Sequence, residues 1–199
     1  DGAILTTETI ESALNSDTSV SVTTGTAGTH NEEGNIAVND TITKSAGSGD
    51  ATLSLSAHND ININEAITSS SGKLNLAVVA DSDTSGGGAT NIAANINTNG
   101  GGLTATGGSG TVNVTSGTLT LGGASTIKNL NLSGGILAGA GLLSTTGTST
   151  ITGNPRLDGK EWDNKGTLDI TGNGYLSFNN GATLNNKVGA TLNLAEAST

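Results

Sequence analysis

The chain has 199 residues, of which 33% are hydrophobic, 2% aromatic and 12% charged, and its formal net charge is −10. One Trp, one Tyr and one Phe cannot fill a compact globule of this length, so the core has to be narrow and aliphatic. Seven scattered basic residues in an acidic chain argue against nucleic-acid binding, and the absence of cysteine excludes a disulfide framework and a thiolate zinc site.

Residues 1–33 are predicted to form an entry unit that caps the fold. The segment Thr6–Asn15 is helix-like, because its apolar residues recur on one face and its threonines can cap a first turn. A strand follows at Ser19–Thr23, and a polar loop then leads to Gly34. The chain begins with neither Met nor a signal peptide, and we expect it to be excised from a longer precursor.

The stretch Gly34–Asp81 contains one short pattern twice. Asn35–Ile42 returns as Asp60–Ile67 about 25 residues later, and self-similarity at roughly 20 to 50 residues is typical of stacked architectures. Ile, Val and Leu alternate with Asn, Ser and Thr, which indicates short strands with one buried face. Residues 34–104 are therefore predicted to be the first region of a solenoid.

Residues 105–199 are predicted to be a second region of the same continuous solenoid. Gly110–Leu121 matches Gly166–Phe178 about 56 residues later, which suggests two or three coils per repeat. Short strands with Gly and Asn corners favour an all-β right-handed parallel β-helix of eight or nine turns, with about 20 to 25 residues per turn and a length of about 40 Å. The competing β-sandwich requires hairpin turns, of which only a few are present. Both rod ends are expected to be unpaired edges.

The stretches GNIAVNDTIT…DATLSLSAHNDININEAITSSSGKLNLAV (34–78) and GTLTLGGASTIKNLNLSGGILAGAGLL (117–143) resemble repeats of the filamentous-haemagglutinin-like bacterial exoproteins. The resemblance covers roughly residues 5–194. It implies a β-helical shaft, secreted or on the cell surface, exported by two-partner secretion or as an autotransporter passenger. The implied partners are an outer-membrane secretion protein and a receptor or polysaccharide on a host or neighbouring cell. The family has no shared catalytic residues, so the resemblance implies neither an enzyme nor a cofactor.

The chemically most varied segment is 156–165, which is predicted to be a long loop. Sugar-processing β-helices use paired carboxylates, and Asp158, Glu161 and Asp163 could supply them, with Trp162 as a stacking platform. These four residues are the candidate binding residues for a carbohydrate, with catalysis as a further alternative. We favour the interpretation in which the loop packs Trp162 on the coils and leaves its charges in solvent.

Other polar residues are given structural interpretations. His30 and His58 are expected to be solvated or bonded at corners, because a triad or zinc site needs fixed partners. Asp81 and Asp83 precede glycines as in a calcium loop but lack its spacing, which favours a polar protrusion at 81–88. Neither a metal nor a cofactor is therefore predicted. The threonine content leaves an ice-binding solenoid open, although few Thr-x-Thr pairs are present.

Overall fold

The computed structural model describes residues 4–24 and 34–195, so His30 and the rest of the loop 25–33 lie outside the described residues. These ranges contain one helix, α1 (Thr7–Asn15), and 23 strands. In chain order the strands are β1 (Val20–Thr23), β2 (Ile36–Val38), β3 (Ile42–Lys44), β4 (Ala51–Ser56), β5 (Ile61–Ile63), β6 (Ile67–Ser69), β7 (Leu74–Val79), β8 (Thr90–Ile92), β9 (Ile96–Asn97), β10 (Leu103–Ala105), β11 (Thr111–Val114), β12 (Thr118–Thr120), β13 (Ser125–Ile127), β14 (Asn129–Leu132), β15 (Ile136–Ala138), β16 (Leu143–Thr145), β17 (Thr148–Ile151), β18 (Arg156–Asp158), β19 (Glu161–Asn164), β20 (Thr167–Ile170), β21 (Ser177–Asn179), β22 (Thr183–Asn186) and β23 (Thr191–Leu194).

The strands form three parallel sheets, because each strand from β1 to β20 pairs with the strand three places further along the chain. Sheet A runs from β1 through β4 to β22, sheet B from β2 through β5 to β23, and sheet C from β3 through β6 to β21. One strand from each sheet makes a coil, and the described residues contain seven complete coils. The predicted parallel β-helix with one short N-terminal helix is confirmed. The described residues contain fewer turns than the predicted eight or nine, because those before β2 supply one helix and one strand rather than a full coil.

Coil length varies along the rod. On sheet B the register places Ile61 beside Ile36 and Thr90 beside Ile61, and the second of these coils is the longer one because it contains the insertion 81–88. Later coils are shorter. In one column of sheet B each residue pairs with the next one a full coil later, so the spacing of its members gives the coil lengths: Asn91, Asn113, Asn131, Thr150, Asp169 and Asn193. The repeat that begins at Gly110 therefore spans three coils. The coils between Asn113 and Asp169 are slightly shorter than predicted, because corners of a few small residues suffice between sheets.

The core is a set of apolar columns inside the three sheets. Strand alternation turns every second side chain inward, and the parallel register stacks like on like, as in the column Leu53, Leu76 and Leu103 on sheet A. These three side chains are fully buried. Burying one such side chain contributes roughly 1.5 to 3 kcal/mol, so the folding energy is spread along the rod rather than concentrated at one centre.

At the N-terminal end of the rod, α1 covers the edge of sheet C. This helix precedes β1 and lies against β3, in the place where sheet C lacks an eighth strand. The edge of β3 finds acceptors on the helix, because Thr43 N–H donates to Glu11 Oε1 at 2.7 Å and the amides of Ser45 and Ala46 donate to Asn15 Oδ1 at 2.7 and 2.9 Å. The expectation of an unpaired edge at this end was therefore wrong for sheet C, whereas β1 of sheet A and β2 of sheet B have no further strand beside them among the described residues.

The start of α1 differs from the prediction in one detail. Thr6 occupies the N-cap position with extended backbone, but its side chain makes no capping bond to the helix backbone. Its hydroxyl lies 3.2 Å from that of Thr9 instead. The helix is held mainly by the burial of Ile10 and Leu14, as expected for a helix too short to be stable alone.

Candidate functional site

The segment 156–165 is a regular part of the sixth coil and not a long loop. Strand β18 pairs with β15, strand β19 pairs with β16, and only Gly159 and Lys160 separate the two strands. The charges in this segment suggested a loop, but Leu157 and Trp162 fall on the inward positions that continue the core columns. The candidate residues are therefore distributed over two sheets, with Asp158 on sheet C and the other three on sheet A.

Trp162 faces the interior. Its side chain is 0% exposed, stands in register with Leu143 and Leu184, and donates from Nε1 to Thr145 Oγ1 at 2.9 Å. A sugar ring has no access to the indole face in this arrangement, so the role of a stacking platform is not available to Trp162. The favoured interpretation expected Trp162 to pack on the coils, which agrees with its burial, but it also left the charges of the segment in solvent, whereas Lys160 is 0% and Asp163 5% exposed.

Glu161 and Asp163 lie together on the outer side of sheet A. The amide of Asn185 on the next coil donates to Glu161 Oε1 and to Asp163 Oδ1, at 3.0 Å in both cases. Lys187 Nζ also lies 2.8 Å from Asp163 Oδ1. The hydrogen bond from Lys187 is the main cause that holds the pKa of Asp163 below its ordinary value. Asp163 is therefore ionised at neutral pH, whereas a glycosidase general acid requires a raised pKa.

Asp158 belongs to a separate group around the corner. Its Oδ2 lies 3.3 Å from Arg156 Nη2 on the same strand, and its Oδ1 accepts a hydrogen bond from the amide of Asn180. The structure thus brings Glu161 and Asp163 together but leaves Asp158 with other partners. The exposed groups at this corner can accept hydrogen bonds from a ligand, and Glu161 is the most exposed of the four candidate residues.

The insertion 81–88 is a protrusion whose carboxylates bind their own loop. Asp81 is nearly buried, adopts a left-handed backbone with φ of 57°, and accepts a hydrogen bond from Gly86 N–H at 2.9 Å. Asp83 accepts from Ser85 N–H at 3.3 Å, and the Ser85 hydrogen bonds lower its pKa. Open space surrounds Gly86 and Gly87. The predicted polar protrusion is confirmed, and the described residues contain no group of three or more His, Asp or Glu that could hold a metal ion.

Lys160 is a feature that the sequence did not reveal. It follows Asp158-Gly159 and so resembles an exposed turn residue, but its side chain is 0% exposed and its Nζ donates to Leu121 O at 2.9 Å. Leu121 lies two coils back, and the intervening corner is Gly139-Ala140-Gly141. Burial lowers the pKa of Lys160 from 10.5 to about 8. This side chain is therefore a buried amine with one hydrogen-bond acceptor among the described residues, and its charged form is destabilised by burial. A substrate has no access to it.

The outer side of sheet B carries a ladder of asparagines. Asn91 donates to Asn62, Asn113 donates to Asn91 and Asn131 donates to Asn113, at 2.9, 2.8 and 2.9 Å between Nδ2 and Oδ1. Thr150 continues the column by donating to Asn131 Oδ1 at 2.8 Å. Each of these side-chain amides therefore donates a hydrogen bond to the amide oxygen on the preceding coil, and these bonds favour one register between adjacent coils.

A row of threonines runs beside this ladder towards the C-terminal end. Thr148, Thr167 and Thr191 are in register on successive coils, and Thr150 and Thr152 complete a Thr-x-Thr-x-Thr run on the sixth coil. The sequence concealed this row because its members are a full coil apart and the coils differ in length. The ice-binding alternative stays open, and a thermal-hysteresis measurement checks it.

Comparisons with protein-family profiles, with curated proteins and with solved structures find no match for this chain. The fold defines it as a parallel β-helix protein, since three parallel sheets stack one strand per coil. No helix among residues 4–24 and 34–195 is long and apolar enough to cross a bilayer.

Proposed function

We propose that this chain is a non-enzymatic β-helical shaft segment of a large bacterial adhesin that is secreted or displayed on the cell surface. One observation carries the proposal: the parallel ladder runs without interruption from β2 to β23, and a buried aliphatic core follows it as far as Leu168 in β20. A rod of this kind acts as a stiff spacer, because each coil adds about 4.8 Å and is held by its two neighbours. The resemblance to filamentous-haemagglutinin-like repeats supports the same function.

Contact with a cell or matrix receptor is assigned to the protrusion 81–88. It is the longest insertion between successive coils among the described residues, and its glycines at 86 and 87 extend into open space. Because Asp81 and Asp83 brace the loop from within, its backbone and small polar side chains remain available to a partner. The outer-membrane secretion partner belongs to the full-length protein.

Immunolabelling of intact cells of the source bacterium, together with its culture supernatant, tests the location. We expect label on intact cells or antigen in the supernatant, and label only after lysis contradicts the proposal. Adhesion is tested with beads that carry the purified chain, applied to host cells, extracellular matrix and other bacteria. Replacing residues 81–88 by a short turn should abolish attachment while the β-helix circular dichroism is retained.

The second candidate is a carbohydrate-binding module, which the exposed carboxylate of Glu161 beside the Asn185 amide favours. Trp162→Ala is not a usable test because the indole is part of the core. The informative variant is Glu161→Gln, compared on a glycan array with Glu65→Gln, which removes an exposed carboxylate on a distant coil. Glycan binding that only Glu161→Gln abolishes would replace the shaft proposal with this alternative.

A further inference from the structure

Three of the seven basic residues lie in one column along the corner between sheets A and B, which we call the lysine ridge and define as Lys128, Lys165 and Lys187. The register of β13, β16, β19 and β22 places them there, because the residue that follows each of these strands stacks on the one before it. In order along the rod the column is Lys128, Thr146, Lys165 and Lys187. Successive coils are about 4.8 Å apart, so the ridge extends over roughly 15 Å parallel to the rod.

The lysine ridge contains the exposed positive charge that is unpaired in the described chain. Lys128 and Lys165 are exposed and form no ion pair with a carboxylate among residues 4–24 and 34–195. The other five basic residues are buried or paired with an aspartate: Lys44, Lys73, Arg156, Lys160 and Lys187. The chain therefore presents its free cations at one corner, although they are far apart in the sequence.

Carboxylates are absent from the neighbourhood of Lys128. Residues 84–157 contain no Asp or Glu, so the coil on either side of Lys128 carries no negative side chain. Charges in solvent are largely screened beyond about 8 Å at physiological ionic strength, and two coils already span about that distance. Near Lys165 the closest acid is Asp163, which is engaged by Lys187 at 2.8 Å and by the amide of Asn185 at 3.0 Å. The ridge is therefore a locally positive strip on a rod whose net charge is −10.

The stem of Lys128 is packed between glycines of the two adjacent coils. A Cβ added to Gly110 would lie 2.6 Å from Cβ and 2.9 Å from Cδ of Lys128, and one added to Gly147 would lie 3.2 Å from its Cγ. Contacts on both sides restrict the side chain before a ligand arrives, which lowers the entropy cost of binding. Thr146 and Thr148 are exposed on the next coil, and their hydroxyl groups can both donate and accept hydrogen bonds.

The protrusion 81–88 lies on the same corner as the lysine ridge. It joins β7 of sheet A to β8 of sheet B, as Lys128 joins β13 of sheet A to β14 of sheet B. Sheet A places β7 two coils before β13. A long ligand that contacts the protrusion can therefore continue along the ridge.

We propose that the lysine ridge binds an acidic polysaccharide that lies along the rod. A sugar polymer with a sulfate or carboxylate on its repeating units offers anions to successive lysines, and its hydroxyl groups match Thr146 and Thr148. Nucleic acid fits less well, because two free ammonium groups neutralise few of its closely spaced phosphates, and none of the three aromatic residues lies on this corner for base stacking. The inference rests on the proposed function, since it names the chemical class of the partner on a cell or matrix.

Binding of the purified chain to immobilised dextran sulfate, alginate and neutral dextran, followed by biolayer interferometry, tests the proposal. We expect binding to dextran sulfate, to alginate or to both, weakening as salt is raised, and none to neutral dextran. The polymer that responds shows whether sulfate or carboxylate is recognised. Lys128→Gln should raise the dissociation constant roughly tenfold. Lys73→Gln is the matched control, since it removes the same charge from an exposed lysine that is paired with Asp50 on another corner, and it should leave binding unchanged.

A gain of binding provides an arm that misfolding cannot imitate. Thr146→Lys places a cation between Lys128 and Lys165 and should lower the dissociation constant roughly tenfold. Absence of binding to both acidic polymers, equal losses in Lys128→Gln and Lys73→Gln, no gain from Thr146→Lys, or tighter binding to single-stranded oligothymidylate would overturn the proposal. These measurements use purified components, so they can fail while the location and attachment tests of the shaft proposal succeed, and the reverse also holds.

Discussion

Replacing Lys160 with methionine is expected to stabilise the folded chain at neutral pH. The ammonium is fully buried, and its one hydrogen bond among the described residues goes to Leu121 O. Its pKa falls from 10.5 to about 8, and each pKa unit corresponds to about 1.4 kcal/mol, so carrying the charge costs the fold up to about 3 kcal/mol. Methionine fills a similar volume, and Leu121 O keeps its bond from Gly141 N–H at 3.2 Å. The net gain should be about 1 to 2 kcal/mol.

The effect should depend on pH in a defined direction. Below about pH 8 the lysine carries its proton in both the folded and the unfolded chain, so the full difference between Lys160→Met and wild type is present. Between about pH 8 and 10.5 the folded chain loses the proton first, and the stability of wild type rises with pH. The advantage of methionine should therefore shrink across this window. Urea unfolding followed by the fluorescence of Trp162, at a series of pH values from 6 to about 10.5, measures it.

Lys44→Met is the matched control. Lys44 is equally buried, but its Nζ lies 2.8 Å from Asp17 Oδ1 and 2.7 Å from Ala46 O. Removing this ammonium takes one donor from the Asp17 carboxylate, which keeps backbone hydrogen bonds from Gly49 and Ser48, and one from the Ala46 carbonyl, so the variant should lose about 1 to 3 kcal/mol. Two results would refute the argument that the buried charge of Lys160 destabilises the fold. One is equal destabilisation by both variants, and the other is a Lys160→Met effect that does not change from pH 6 to about 10.5.

Three further predictions concern the core, the corners and the ion pair. Trp162→Phe should cost about 1 to 2 kcal/mol in urea unfolding through the lost bond to Thr145, and the native indole should resist acrylamide quenching; ready quenching would place it at the surface. Gly101→Ala should lower the melting temperature by several degrees, because the added Cβ would lie 2.1 Å from a backbone carbonyl of the preceding coil; an unchanged melting temperature would contradict that close approach. The pair of Asp163 with Lys187 should stabilise the fold above the ordinary aspartate pKa of 3.8 and lose this contribution as pH falls through the lower folded value, so Asp163→Asn should differ from wild type at pH 7 and converge with it in acid.

The candidate site was only partly accessible to sequence reasoning. Alternation at Leu157 and Trp162 was visible, but three carboxylates and two lysines close by made the segment resemble a loop. The segment forms two strands because β18 pairs with β15 and β19 pairs with β16. This pairing depends on residues one coil earlier in the chain. The partners of Asp163 come from the next coil and have no local signal in the sequence.

The sequence by itself determined the architecture, because each strand, its buried face and its corner are written within a few residues and then repeated. The helix at Thr7–Asn15 and the parallel stacking were both accessible in this way. Only the tertiary structure decided the number of coils in the described residues, the burial of Lys160 and the cover over β3. Each of these depends on which coil lies above or below a given residue. Because the coils differ in length along the rod, the sequence leaves that neighbour unspecified until the chain is stacked.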